Sequence, residues 1–380
     1  FLACNRIGAV TTFLNSFATD EEVKYYLNLF ESSIYVNYNR NKDSNLRMKM
    51  QTKVRTVITL SKARKNALDF NENYKKSYDG VTVDFNSLGS IASYQANTFE
   101  WLHSSKENAL ILYTSGSSTG KSKAVVLTNE NVLAAGTYLK NSSNLKDNKD
   151  KRTLVCVPFA YPYGFGTSTL MTLLSGKTAI LAPDIGANTI LYYLRKRPEM
   201  IFGSPALMEL IKRNVPVGED LSYVHKFISG GDFFRIKPYQ EAKEFFREHN
   251  APDIEIGNGS GNAETMSCGT NPVGIKPKPG TAGRVLVGTE AMIIDKDTME
   301  EKRYGEEGSL FVSGRHLFKE YFKEPKMTEE ALIEINGKRY FDTGMIGFLD
   351  EEGYFTPNKR TSRFYIPSTL DKVYPDPVQT

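Results

Sequence analysis

Two apolar runs, Ala109-Leu110-Ile111-Leu112 and Ala124-Val125-Val126-Leu127, bracket a segment of hydroxyls, two glycines and two lysines, Tyr113-Thr114-Ser115-Gly116-Ser117-Ser118-Thr119-Gly120-Lys121-Ser122-Lys123. Glycines let a backbone turn tightly enough to aim several N–H groups at one point, and Ser/Thr hydroxyls and Lys complete a cradle for phosphate. A Walker A loop requires four residues between its first Gly and the Gly-Lys pair. Three residues separate Gly116 from Gly120 here. A Walker loop also opens a helix, whereas the run after Lys123 favours a strand. The segment therefore reads as a phosphate loop of another kind, with a polar hairpin turn as the alternative.

Length and charge bound what surrounds this loop. A chain of 380 residues exceeds what one simple core holds, so two or more subdomains are expected. Apolar residues make up 40% and charged residues 24%, an ordinary globular balance. The net charge of +4 is too weak to argue for a nucleic acid partner, and none is expected. Cys4, Cys156 and Cys268 are odd in number and far apart, which implies neither a disulfide framework nor a zinc site. A reducing, cytoplasmic setting fits. No apolar run approaches the length of a membrane span. The first residues, Phe1 to Arg6, lack an initiator Met and a signal-peptide pattern, so the chain reads as beginning in mid-element.

Helical and strand signals alternate along the chain. Thr19 and Glu22 have capping-box spacing, and Val23, Tyr26, Leu27 and Phe30 then form one apolar helix face. Residues 54–60 read as a strand, and 61–105 as a loop-rich stretch. Thr128 is a good N-cap for a helix through about Leu139. Short buried strands are expected at 153–157, 178–181 and 199–203. Helices are expected at about 169–174, 189–197 and 206–214. Such alternation predicts α/β layers. From Gly280 the pattern shifts to short strands broken by glycines and charged turns, which predicts a smaller β-rich subdomain over 280–360. There is no internal repeat.

Together with the segments C-terminal to it, the loop resembles the Thr-Ser-Gly-Ser-Thr-Gly-x-Pro-Lys-Gly signature of the AMP-forming adenylating enzymes, a superfamily of acyl- and aryl-CoA ligases, luciferases and peptide-synthetase adenylation domains. Further landmarks lie in order along the chain. Phe1 to Val10 resembles a Leu-Ala-x-x-x-x-Gly-Ala-Val element, and Pro158 to Gly166 a Pro-x-x-His-x-x-Gly acyl-pocket segment. Gly203 to Leu207 is similar to Gly-x-Pro-x-Leu, and Ser229 to Asp232 to a Ser-Gly-Gly adenine turn. Asn258 to Glu264 stands for Asn-Gly-Tyr-Gly-x-Thr-Glu. Gly280 to Gly283, Glu307-Gly308, Thr343-Gly344 and Arg360 mark the later motifs. The resemblance implies layered α/β subdomains over 1–279 plus the β-rich subdomain, as in the large N-terminal domain of these enzymes. Residues 361–380 would be a hinge and the opening of a C-terminal cap domain that is mostly absent.

The resemblance also implies roles. Thr114, Ser115, Gly116, Ser117, Ser118, Thr119, Gly120 and Lys123 would follow the phosphates of ATP as pyrophosphate leaves. Gly230, Gly231, Asp232, Asn258, Gly259, Ser260, Gly261 and Arg360 would hold adenine and ribose. Tyr161, Gly164, Ser204 and Pro205 would shape the acyl pocket. Thr119 and Glu264 would supply or orient oxygen ligands for magnesium, with a solvated loop carboxylate as the alternative for Glu264. Tyr163 and Phe165 are more readily core than pocket. No residue of this chain takes the role of the family's cap-domain lysine.

Departures from the pattern are specific. The loop carries an extra Ser at 117 or 118, and Ser122 and Ala124 replace Pro and Gly. Tyr161 stands for a pocket His, Ser260 for an adenine-stacking aromatic and Ala263 for a Thr. Met345 stands where the family has an Asp that bridges both ribose hydroxyls, so Met345→Asp is expected to tighten ATP binding about tenfold. Asp342 or Asp350 could substitute for it. The resemblance implies ATP-dependent activation of a carboxylic acid to an acyl-adenylate, then transfer to a thiol, coenzyme A foremost. Alternatives are a nucleotide- or acyl-binding homologue with little or no catalysis, and an enzyme loading an acyl carrier protein. An amino-acid substrate is disfavoured, because no Phe-Asp-x-Ser segment occurs near 163–168.

Overall fold

The computed structural model describes residues 1–15, 18–38, 42–60, 74–78, 81–85, 104–114, 123–142, 151–267, 269–271 and 276–360. They fall into two compact units, residues 14–101 and residues 1–13 with 102–380.

In the smaller unit the Thr19 hydroxyl accepts from the Glu22 N–H, and the Glu22 carboxylate accepts from the Thr19 N–H at 2.8 Å. This is the reciprocal cap predicted by the spacing, and it opens the helix Asp20–Leu29. Val23 and Leu27, one turn apart, bury against Met48, Val54 and Val57. The strands Ile34–Tyr38 and Thr56–Leu60 pair in parallel. The stretch expected to be loop-rich departs from expectation in one place. Tyr74–Tyr78 and Val81–Phe85 pair antiparallel, with Tyr78 opposite Val81. Asp79-Gly80, a two-residue hairpin signal, stands between them, but Lys75, Lys76 and Ser77 break the apolar alternation that would have marked the first strand.

Three sheets of the larger unit place its cavity. The first orders Thr11–Thr12, Asn108–Tyr113, Ala124–Thr128 and Glu320–Tyr321. Its two middle strands are antiparallel, with Tyr113 opposite Ala124, so residues 114–123 connect neighbouring strands. The Thr128 hydroxyl then accepts from the Asn131 N–H and opens the helix Asn129–Ser142, as its N-cap chemistry predicts.

The second sheet is wholly parallel and orders Glu255–Asn258, Lys226–Ser229, Met200–Gly203, Arg152–Val155 and Thr178–Leu181. Both of its faces are covered, which a parallel sheet requires. Met200, Phe202 and Ile228 point into one core, and Leu154, Ile201 and Phe227 into another. In chain order Thr178–Leu181 is added on one side of Arg152–Val155, and Met200–Gly203 on the other. That reversal opens a crevice at the carboxyl ends of the two strands.

The helix expected from about Thr169 begins earlier, as a π-helix over Tyr163–Leu170 that runs into the α-helix Met171–Leu174. The hydroxyls of Ser168 and Thr169 donate to the carbonyls of Tyr163 and Gly164, five residues back, at 2.7 and 2.8 Å. They favour the wider turn and hide the 3.6-residue period. The third sheet is antiparallel and holds Glu290–Ile294, Gly308–Ser313 and Lys338–Leu349; the last also pairs with Leu332–Ile335 and Phe355–Arg360. The β-rich character expected after Gly280 is present, although Lys338–Leu349, at 12 residues, is longer than the glycine-broken pattern predicts.

A Cβ on Gly164 would lie 2.3 Å from the Pro158 carbonyl oxygen and 2.5 Å from that of Val157, both backbone atoms that cannot turn aside. Gly164→Ala is therefore expected to destabilise the fold by about 2–4 kcal/mol in denaturant unfolding. Gly176→Ala, where φ is +67° but the space is open, should cost about 1–2 kcal/mol. Equal losses would contradict this packing.

Candidate active site

The crevice widens into a cavity of about 1060 Å³. Thr114 and Lys123, the two stem residues of the loop, line it. They hold each other: the Thr114 N–H donates to the Lys123 carbonyl at 3.0 Å, and the Lys123 N–H donates to the Thr114 hydroxyl at 2.9 Å. Ser115, Gly116, Ser117, Ser118, Thr119 and Gly120 lie outside the described residues, so the magnesium role expected of Thr119 has no geometry here. The Lys123 ammonium stands 4.9 Å from the centroid of the Tyr321 ring.

The carboxyl ends of the parallel strands supply the wall. Tyr163 donates its hydroxyl to the carbonyls of Gly203 and Ile228, at 3.1 and 2.7 Å, and so ties two adjacent strand ends together. Its ring lies where a Cβ of Gly230 would be, about 2.8 Å away, so Gly230 is required by an internal aromatic. Gly231, at φ +81° with open space around it, turns the backbone along the cavity edge. Ser204 also lines the cavity. Its hydroxyl caps the helix Pro205–Asn214, with Pro205 in the first turn. Tyr161 lines the rim and is exposed.

Of the other expected positions, Gly259, Ser260, Gly261 and Glu264 line the cavity, while Gly164, Pro205, Asp232 and Asn258 lie outside the lining. The Asn258 side chain accepts from the Phe234 N–H at 2.8 Å and donates to the Phe234 carbonyl. Arg360 stands opposite Met345 in the strand ladder; its side chain is outside the described residues. Glu264 is 5% exposed, and Tyr321 donates to its carboxylate at 2.7 Å. Burial, and then the charge of Glu264, push the Tyr321 phenol above the ordinary tyrosine range, which keeps it a donor. Asp342 lines the cavity as well, with one carboxylate oxygen accepting from the Gly344 N–H and the other paired with Lys296. Asp350 is taken up by Lys278 and by a turn. Among the described residues no group of three or more His, Cys, Asp or Glu could hold a metal ion alone. None of their helices is long and apolar enough to cross a membrane.

Residues 1–322 match the family model described as AMP-binding enzyme. The chain belongs to that family. It is 25% identical over 392 residues to a long-chain-fatty-acid–CoA ligase of Bacillus subtilis (strain 168), covering 98% of this chain and 67% of that one. To 4-coumarate–CoA ligase 3 of Arabidopsis thaliana it is 24% identical over 365 residues, 93% of this chain and 60% of that one. A probable CoA ligase of Humulus lupulus is spanned over 51% of its length, so the chain covers about half to two thirds of these relatives. Its fold is that of ATP-bound MatB from Rhodopseudomonas palustris, with a TM-score of 0.78 and 24% identity over 98% of this chain and 68% of that one.

Within this AMP-binding family member, two departures from the expected pattern touch one another. The Ser260 hydroxyl donates to the Met345 thioether at 2.9 Å, and Met345 is 4% exposed within the main core. The gain in ATP affinity expected of Met345→Asp therefore does not carry over to this packing. A carboxylate there would be buried against apolar neighbours, with the Ser260 hydroxyl the described polar side-chain partner beside it. Met345→Asp is expected to lose about 2–4 kcal/mol of stability and to bind ATP no more tightly, whereas Met345→Leu should lose under about 1.5 kcal/mol. Thermal melts and calorimetric titration with ATP check both.

Sequence reasoning missed Tyr321 altogether, and it weighed Cys156 as a disulfide or zinc candidate and as part of the strand run 153–157, not as a residue of the site. Cys156 follows the strand Arg152–Val155 and lines the cavity, and burial pushes its thiol up to about 12. Its thiolate fraction at pH 8 is then only ~10⁻⁴, so alkylation should be about a thousandfold slower than at exposed Cys4. Peptide mapping after iodoacetamide treatment measures the ratio.

Proposed function

We propose that this chain forms the nucleotide- and acid-binding part of an enzyme that activates a carboxylic acid with ATP, releases pyrophosphate and passes the acyl group to a thiol, coenzyme A foremost. The observation that carries the reading is the sorting of charge along the cavity. The described charged side chains of its lining are Lys123, Glu264, Glu330 and Asp342, whereas Cys156, Ile185, Leu207 and Leu210, which pack with the second core, are uncharged. Phosphate belongs beside Lys123, with a metal ion offsetting the carboxylates, and an uncharged acyl tail beside the second group. In this reading the loop from Thr114 to Lys123 holds the departing phosphates, and Gly231 with Gly259 to Gly261 gives a flat base room against backbone, while Gly230 borders that edge with the Tyr163 ring behind it. Asp232, Asn258 and Arg360 act from around that edge. Tyr161 and Ser204 bound the acid, with Gly164 and Pro205 setting the backbone behind them.

Magnesium fits the residues present. Glu264 offers a hard oxygen at the phosphate end, Thr119 is the second proposed ligand, and phosphate and water oxygens would complete the shell. The ion supplies charge neutralisation at the phosphates when bound. A small-molecule acid is the proposed partner, with an acyl carrier protein as an alternative acceptor. Cys4 and Cys156 as free thiols suit a reducing, cytoplasmic setting. A second reading, a nucleotide- or acyl-binding homologue with little catalysis, is favoured by the Ser260–Met345 contact.

ATP–pyrophosphate exchange by the full-length protein over a panel of acids tests the reading, since residues 1–380 without a cap-domain lysine are expected to support little exchange. Apolar and aromatic monocarboxylic acids are expected to support exchange and dicarboxylic acids to fail, because among the described residues no cation lines the cavity beside Cys156, Ile185, Leu207 and Leu210. Lys123→Ala should slow exchange about a hundredfold and move the KM for the acid less than about threefold. Binding of ATP without exchange for any acid would decide for the second reading.

A further inference from the structure

Two of the charges that line the cavity, Lys123 and Glu264, meet at one side chain. Tyr321 lies on the short strand Glu320–Tyr321, which pairs with Ala124–Thr128 so that Tyr321 faces Val125 in the ladder. The pairing brings its ring beside Lys123, the residue just before that strand. The ring packs against Phe318 with centroids 4.7 Å apart and presents a face to the Lys123 ammonium at 4.9 Å. Its hydroxyl reaches the other way and donates to Glu264 at 2.7 Å. The Phe318 N–H, three residues earlier, donates to the Glu264 carbonyl at 2.8 Å. Backbone and side chain of Glu264 are thus both fixed from one segment. Tyr321 is 2% exposed, too buried to meet a ligand over any large part of its surface.

We infer that Tyr321 is the positioning residue of the phosphate end: its hydroxyl sets the Glu264 carboxylate and its ring face sets Lys123. The inference rests on the proposed nucleotide site for its ligand, ATP with magnesium. The two halves of the side chain act on different events. The hydroxyl governs how a carboxylate oxygen is offered to the metal, and the ring governs where the ammonium waits for phosphate.

Calorimetric titration of ATP into the 380-residue chain, once in EDTA and once in excess magnesium chloride, separates the halves. Tyr321→Phe keeps the ring and removes the donor. It should bind metal-free ATP within about twofold of wild type and lose about tenfold of the magnesium-dependent gain. Tyr321→Leu removes both and should also weaken metal-free binding, by about fivefold. In a Glu264→Gln background, Tyr321→Phe should cause no further loss of the magnesium gain. If Tyr321→Leu does not fold, the near-isosteric Phe variant and the double-mutant cycle decide alone. A full magnesium gain in Tyr321→Phe, or additive losses in the cycle, would overturn the inference and leave the nucleotide reading standing. A wild-type chain that binds no ATP in either buffer would overturn the nucleotide reading, and the inference with it.

Discussion

The turn at residues 262–264 ties three sheets together, and a buried carboxylate sits at its centre. It continues directly from the parallel strand Glu255–Asn258. The Asn262 side chain donates to the Thr343 carbonyl of the third sheet at 3.0 Å, and Glu264 meets Phe318 and Tyr321 of the first. A carboxylate at 5% exposure would cost several kcal/mol without donors, and one charge-assisted hydrogen bond restores about 1.5–3 kcal/mol of that. The Tyr321 hydroxyl reaches Glu264 from the strand Glu320–Tyr321, which pairs with Ala124–Thr128. That pairing fixes the strand on which the loop stem ends, so the polar site and the order of the first sheet depend on one another.

The position of the cavity has a separate origin. It comes from strand order in the parallel sheet, where the chain changes direction of growth around Arg152–Val155. Short apolar runs at 153–157, 178–181 and 199–203 were legible as strands because β-branched and aliphatic residues cluster there between turn residues. Their order was not legible, since each run is apolar on both faces and carries no mark of its neighbour. Local chemistry reads well for the same reason that topology reads poorly. Thr19 with Glu22, and Thr128, announce helix starts within four residues of sequence.

Side-chain placement at the site was legible in part. Thr114, Lys123, Gly231, Ser260 and Glu264 were singled out from short motifs, and the fold brings them to one cavity. Tyr321 gave no signal because its importance comes from strand pairing across roughly two hundred residues of sequence. Gly230 has a second reason to be small. It lines the cavity, and the Tyr163 ring, which hydrogen-bonds the strand ends, occupies the place a Cβ would take. A glycine in a motif records that something comes close, without saying whether the visitor is a ligand or the protein itself.

Ser260 and Met345 carry the same lesson for departures from a pattern. Taken singly, a small hydroxyl in place of an aromatic and a thioether in place of a carboxylate each look like the loss of a contact. The fold sets them 2.9 Å apart, with Met345 inside the core and Arg360 opposite it in the ladder. A serine leaves space that a tyrosine would occupy, and an unbranched, polarisable methionine is the side chain best able to fill an irregular gap of that kind. The thioether accepts the hydroxyl proton, so the pair leaves no buried donor unmet. Restoring one partner alone would then meet the wrong neighbour, a buried carboxylate beside a short hydroxyl or an aromatic ring driven into a sulfur. The two positions behave as a single exchange, and whatever nucleotide contact they make is made by the Ser260 side, since Met345 stands behind it and outside the cavity lining.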